Sequence, residues 1–332
     1  MAAPAQMVAD FAAQCPGLWD YCAAARSRRG QAPIPDWPDW CYVPQTIIES
    51  CVDGLLKHNG FWGNMFEWGA LRIKGGAFAA WRMGRGVYRF DADLAAALAQ
   101  TDAPETLPAE LLLRLPEWGV WLEGAECLKP FEGAFCWLNY LLSSETPELR
   151  IWFVNGTSGL WPSYPDYVPV TAFLPLDCAT LRESLTCFLE RTESAIPPQW
   201  SIGEVTPDSM RRYIPIDAAI NLLLYLCSSD PDYAGTERPK NPTPVKTKRG
   251  EKLFPSTTPR VWRIGERIGG RLRQAAQTRQ QPEERNAPRP HLRRAHWHTY
   301  RIGKARAGFR VRWLHPILVG DWGTDEGGEM GN

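Results

Sequence analysis

Residues 118–156 read "WGVWLEGAECLKPFEGAFCWLNYLLSSETPELRIWFVNG". Three runs in it, 118–124, 133–142 and 149–156, are dense in aromatic and β-branched residues, and Gly, Pro, Ser and Thr separate them. Such residues suit a pleated, half-buried surface, and the short separations suit hairpin connections. A fourth run, "YVPVTAFLPL" at 167–176, continues the pattern. Three or four antiparallel strands are expected here.

The flanking sequence changes period. In 44–59, "PQTIIESCVDGLLKHN", Ile47, Ile48, Cys51, Val52, Leu55 and Leu56 recur at three- and four-residue spacings, which predicts an amphipathic helix. A second helix is predicted over about 64–82, and "GVYRF" followed by "DADLAAALAQ" reads as a short strand and a helix capped near Asp91 or Asp93. Two further helices are predicted at about 178–192 and 214–228, the second apolar nearly all round and so expected to be buried. Beyond residue 260 the order is a strand, "RVWRIG", a helix over 266–280, and two strands, "HWHTYRIG" and "FRVRWLHPILV", joined by a basic turn. The fold class predicted is therefore α+β: a helical N-terminal part, an antiparallel sheet in the middle and a small basic βα-hairpin module at the C-terminus.

Charge divides the chain more sharply than hydropathy does. The 332 residues carry no net charge, yet residues 1–237 hold 16 Lys/Arg against 29 Asp/Glu, and residues 238–313 hold 21 against 4. The division predicts an acidic body (1–229), a Pro/Lys-rich linker (230–259), a basic module (260–320) and a disordered, Gly-rich acidic tail (321–332). Clustered cations attract polyanions or acidic protein surfaces whatever the total charge, and they can equally dock on the chain's own acidic body. No basic start precedes an apolar run, and no apolar stretch has the length of a membrane span, so a cytoplasmic protein with no membrane partner is expected. Nine cysteines without CxxC spacing read as reduced, mostly buried thiols.

The densest chemistry lies in "RRAHWH", 293–298. Residues two apart on a strand share a face, so His296, His298 and Tyr300 line one side and Trp297 the other, where it is expected to pack on the 266–280 helix. A zinc site would need more donors than His296 and His298 with His291, His315 and a few carboxylates, so no metal and no cofactor is expected. The pair also supplies the groups of a metal-independent endoribonuclease: His296 and His298 as base and acid, with Arg293 or Arg294 to stabilise the phosphorane. The third reading is a binding face, in which Arg293, Arg294, His296, Trp297, His298, Arg310 and Arg312 meet RNA phosphates or an acidic peptide. In "RIGERIGGRLRQ", 263–274, no nucleotide-binding pattern is present. There Glu266 and Arg267 are expected to be structural, Glu266 pairing with Arg267, Arg293 or Arg294, and Gly269 and Gly270 to allow close packing. Trp37 and Trp40 of "PDWPDWCY" read as core cover or as the wall of a peptide groove.

The segments "PRVWRIGERIGGRLR", "PRPHLRRAHWHTYRIG" and "FRVRWLHPILV", in this order, resemble the end of the type V-A anti-CRISPR family that acts on production of the effector nuclease. Weaker similarity runs through "FAAWRMGRGVYRFDADL", "LPEWGVWLEG" and "LLLYLCSSDPDY". The resemblance implies an inhibitor borne by a mobile genetic element, with relatives on plasmids and phages, acting in the cytoplasm of a bacterial host cell. It implies recognition of the N-terminal segment of a nascent Cpf-type effector polypeptide and loss of its mRNA, with the message or ribosome as further partners and binding rather than catalysis as the core activity. The endoribonuclease or RNA-binding reading of the HWH hairpin stands beside it.

Overall fold

The computed structural model describes residues 4–61, 63–102, 106–154, 170–195, 214–248, 250–279, 291–303 and 308–319. The tail 321–332, part of the 167–176 run and the polar connection at 280–290 lie outside these residues. Four helices come first, α1 (Pro4–Gln14), α2 (Leu18–Ser27), α3 (Gln45–His58) and α4 (Met65–Gly84). Strand β1 (Gly86–Phe90) and helix α5 (Ala92–Ala99) follow, then β2 (Gly119–Glu123), β3 (Gly133–Leu141), β4 (Thr146–Val154) and β5 (Val170–Pro175). Helices α6 (Leu181–Ala195) and α7 (Ile216–Cys227), the short strands β6 (Val245–Thr247) and β7 (Gly250–Lys252), strand β8 (Arg260–Ile264) and helix α8 (Glu266–Arg279) complete the body.

Six strands form one sheet in the order β5-β4-β3-β2-β1-β8. From β2 to β5 it is antiparallel, as the hairpin spacing predicts. β1, however, lies parallel to both β2 and β8. Parallel neighbours need long crossovers, and here the chain between β1 and β2 passes through α5 while β8 arrives from a distant part of the sequence. Alternating hydropathy marks a strand without naming its partner, so these ladders are not visible in the sequence.

The pleat sorts the core into two halves. Val87, Trp121, Phe135, Trp137, Trp152 and Val154 point to one side, where α1–α4 cover them. Tyr88, Val120, Leu122, Cys136, Ile151 and Phe153 point to the other, under α5, α6 and α7. On the first side Phe135 packs against Trp121 at 4.6 Å between ring centroids and stacks on Trp152 at 5.4 Å. Helix α4 lies so close that a Cβ on Gly119 would fall 2.7 Å from the Trp81 backbone nitrogen. Helix α4 begins with a capping box, Asn64 accepting from the Phe66 and Glu67 amides while Glu67 accepts from the Asn64 amide, which satisfies these three N-terminal donors. Every residue of α7 from Ala219 to Cys227 is buried, in agreement with its apolar circumference. All nine cysteines are free thiols, and no described helix is long and apolar enough to cross a membrane.

The Pro/Lys-rich stretch runs as a strap across the body. Asn241 accepts from the Trp118 amide at 2.7 Å, Ser256 donates its amide to Met83 O at 2.9 Å, and Arg85 donates to Thr257 O at 2.8 Å. The strap delivers β8 into the sheet beside β1, so a five-residue parallel ladder, Gly86↔Arg260 to Phe90↔Ile264, ties acidic and basic parts of the chain together. Proteolysis in the exposed β6–β7 hairpin is therefore expected to leave both fragments in one particle on native size-exclusion chromatography, parting only in denaturant. Fragments that separate without denaturant would contradict the ladder's role.

Candidate functional site: a basic hairpin docked on the body

Strands β9 (His291–Arg293), β10 (His296–Ile302), β11 (Gly308–Leu314) and β12 (Ile317–Val319) form two antiparallel pairs, β10 with β11 and β9 with β12. In the β10/β11 ladder Trp297 stands opposite Trp313, His298 opposite Arg312 and Tyr300 opposite Arg310. Trp297, Val311 and Trp313 are buried in the core half that contains α7, whereas His298, Tyr300, Arg310 and Arg312 are exposed. The sequence placed Trp297 against the 266–280 helix; its indole N–H goes instead to α7, donating to Asn221 Oδ1 at 2.9 Å. Trp313 donates to Thr101 Oγ1 at 3.1 Å, and Asn221 donates to Thr101 O at 3.0 Å, which closes the network. Ser229 adds a backbone bond to Val311 O at 3.0 Å. Buried polar groups so paired give about 1 kcal/mol each, but an orphaned partner costs about 1–3 kcal/mol, so the network selects one docking geometry.

The other expected site residues fall around this hairpin. His296 Nδ1 lies 3.2 Å from Arg294 O, and the His298 and Tyr300 rings meet at 4.2 Å between centroids. Arg294 is exposed; the Arg293 backbone pairs with Ile317, and its side chain lies outside the described residues. Glu266 pairs with Arg263 at 3.4 Å, and Arg267 pairs with Asp232 at 3.5 Å. Asp232 also accepts the Arg267 and Ile268 amides, so it caps the start of α8. A Cβ on Gly269 would fall 1.9 Å from Asp91 Oδ1, whereas Gly270 faces open space; only the first is required by packing. Asp91 caps α5 and, with Asp93, holds Arg273 at 2.9 and 2.5 Å. Arg260 with Glu237 and Arg312 with Asp230 extend this self-neutralisation. Among the described residues, Arg271, Arg294, Arg301 and Arg310 remain as exposed cations of the module without an ion pair. The described residues hold no group of three or more His, Cys, Asp or Glu side chains able to bind a metal ion.

On the opposite side of the sheet a cleft of 910 Å³ opens between α2, the loop around Asp39 and the strap, lined by Arg26, Arg29, Tyr42, Trp118, Pro242 and Lys252 among others. Arg26 donates to Cys41 O at 2.8 Å and Tyr42 O at 3.2 Å, and its guanidinium lies 5.3 Å from the Trp118 ring centroid. Burial lowers the Arg26 pKa from its ordinary value, and Asp39 is lowered chiefly by its hydrogen bond from Arg29. Trp37 is buried and donates to Tyr42 O at 3.2 Å, and Trp40 packs edge-on to Tyr140. Both tryptophans of "PDWPDWCY" thus cover the core, while Asp39 and Tyr42 of the same stretch line the cleft.

Sequence reading missed Glu117, next to the cleft residue Trp118. Its carboxyl group is buried under β1 and accepts from Tyr88 Oη at 2.6 Å, with Gly84 and Gly86 against it. Burial pushes it up to about 7; the Tyr88 bond and the Arg260 charge act the other way. Nothing in the surrounding "LPEWG" distinguishes it from a surface glutamate.

The architecture is thus that of an α+β protein whose mixed sheet separates a helical layer from a layer carrying a basic hairpin. The family model described as AcrVA2-like, anti-CRISPR type V subtype A2, matches residues 88–321, and the chain belongs to that family. The crystal structure of AcrVA2 is similar in fold, with a TM-score of 0.64 and 19% sequence identity, over 94% of this chain and 97% of that chain. No curated protein matches the sequence. Several contacts that hold the module in place fall in the segments that carried the resemblance: Asp91 meets Gly269 and Arg273, Asp232 caps α8, and Ser229 bonds Val311.

Because the folded pKa of Glu117 is raised, its contribution to stability is full below the unfolded value near 4.5 and is lost as pH rises through about 7. At about 1.4 kcal/mol per pKa unit the loss is about 3 kcal/mol. Glu117→Gln is expected to remove that decline, so its denaturation midpoint gains on the parent's steadily across this range. Parallel pH profiles for the two proteins would refute the assignment.

Proposed function

We propose that this anti-CRISPR protein lowers the biogenesis of a type V effector nuclease by binding the N-terminal segment of the nascent effector polypeptide, with the effector mRNA lost as a consequence. The observation that carries the reading is the presence of two separate surfaces on opposite sides of one sheet. The Arg26–Trp118 cleft has mixed charge, aromatic walls and proline edges suited to an extended polypeptide. The hairpin face, on the other side, is cationic and faces the message or the ribosome. A protein with both can couple a polypeptide to the RNA that encodes it while performing no chemistry itself.

A second reading, a metal-independent endoribonuclease centred on His296, Trp297 and His298, is favoured by the exposure of His298 beside Arg310 and Arg312. One experiment separates the two. The chain is co-expressed with a reporter whose message begins with the effector's N-terminal coding segment, either in frame or frameshifted through that segment. The proposal expects reporter protein and mRNA to fall only when the segment is translated in frame. An equal fall in both messages would overturn it, and RNA cleavage by the purified chain that disappears in His298→Ala would establish the nuclease reading instead.

A further inference from the structure

The outer face of the β10/β11 hairpin contains more than charge. The register sets His298 across from Arg312 and Tyr300 across from Arg310, so rings occupy one strand and guanidinium groups the other. The two rings touch each other at 4.2 Å between centroids and are tilted by 43°, which leaves the outer side of the pair to solvent. Tyr300 is 39% exposed, and Ile302, next along the same face, is 40% exposed. These are large apolar groups displayed on a surface whose inward-facing partners, Trp297, Val311 and Trp313, already fill the core. Packing within the chain therefore does not account for them.

We propose that this face binds single-stranded RNA, with bases stacked on the His298–Tyr300 pair and the sugar-phosphate backbone tracking Arg310 and Arg312. The inference rests on the proposed function, in which the hairpin faces the message, and it names the ligand. Residues i and i+2 of a strand are about 6.8 Å apart along it, so the two guanidinium groups present repeated charge alongside two rings. Paired bases keep their faces buried in the helix, so exposed rings select unpaired ones, which every nucleotide can supply. An acidic peptide would use the cations and leave the ring pair without a role. Arg310 has no ion pair among the described residues and is free to take a phosphate. Arg312 leans on Asp230 at 3.4 Å, with side chains 49% and 65% exposed, and exposed pairs of this kind exchange at little cost. Exposed Arg294 and Arg301 extend the positive field at the two ends of β10.

Fluorescence anisotropy of a labelled oligouridine with the purified full chain, at about 50 mM and about 200 mM salt, tests this directly. Each phosphate contact on a single strand contributes about −0.7 to the slope of log K on log salt, so two contacts give about −1.4. Arg310→Ala is expected to shallow the slope by about 0.7, and Tyr300→Ala to weaken binding roughly tenfold with the slope unchanged. Because both side chains are exposed, melting temperatures should match the parent's, which excludes misfolding as the cause. Failure to bind the single strand would overturn the inference, as would equal competition by polyglutamate together with no effect of Tyr300→Ala, the mark of an acidic-peptide site. The titration contains no effector segment, so absent binding alongside an in-frame reporter response would remove this inference and leave the proposed function standing.

Discussion

The arrangement depends on four side chains far apart in sequence: Trp297 and Trp313 on the hairpin, Asn221 in α7 and Thr101 after α5. Two indole N–H groups enter the core, and each finds an oxygen that is itself held, Asn221 Oδ1 by the Asn221 bond to Thr101 O and Thr101 Oγ1 by its bond to Ala97 O. A two-stranded hairpin is marginal alone in water, since it has one apolar face and nothing to cover it. Here that face is fixed by burial and by donors that cannot be satisfied in another register. The outward direction of Arg310 and Arg312 follows from this, because a shift of one residue along either strand would bury the arginines and expose the tryptophans.

The same docking brings oppositely charged parts of the chain together. Part of the module's positive charge is neutralised within the chain: Arg273 meets Asp91 and Asp93 of the acidic body, while Arg267, Arg260 and Arg312 meet Asp232, Glu237 and Asp230 in the stretch that follows it. Two of these carboxylates, Asp91 and Asp232, also cap helices, so they orient elements as well as cancel charge. Among the described residues of the module, the exposed cations without an ion pair are Arg294, Arg301 and Arg310 around the hairpin and Arg271 of α8. The cleft and the basic hairpin lie on opposite sides of one sheet, and β8 is the strand that ties the basic part of the chain to the body.

Periodicity made much of this legible. Aromatic and β-branched density located β2, β3 and β4, alternation set Trp297 on the face opposite His296 and His298, helical spacing located α3, and an apolar circumference marked the buried α7. The parallel position of β8 beside β1 was not legible, because pairing depends on a crossover through the whole body and leaves no local mark. Asn221 and Thr101 were hidden for a related reason, since one polar residue in an apolar helix looks like a tolerated exception until its partner arrives from a distant hairpin. Glu117 looked like a surface residue beside a proline. Asp91 was visible as a helix cap, while its second role against Gly269 and Arg273 required the fold.

The central claim is that the hairpin is locked to the body through Asn221, and native-state hydrogen exchange on Asn221→Ala measures it most directly. The account predicts that amides of β10 and β11 exchange faster by a factor corresponding to about 1–3 kcal/mol of lost local stability, while those of β3 and β4 keep their protection. Unchanged exchange in the hairpin, or an equal loss across the whole sheet, would contradict it.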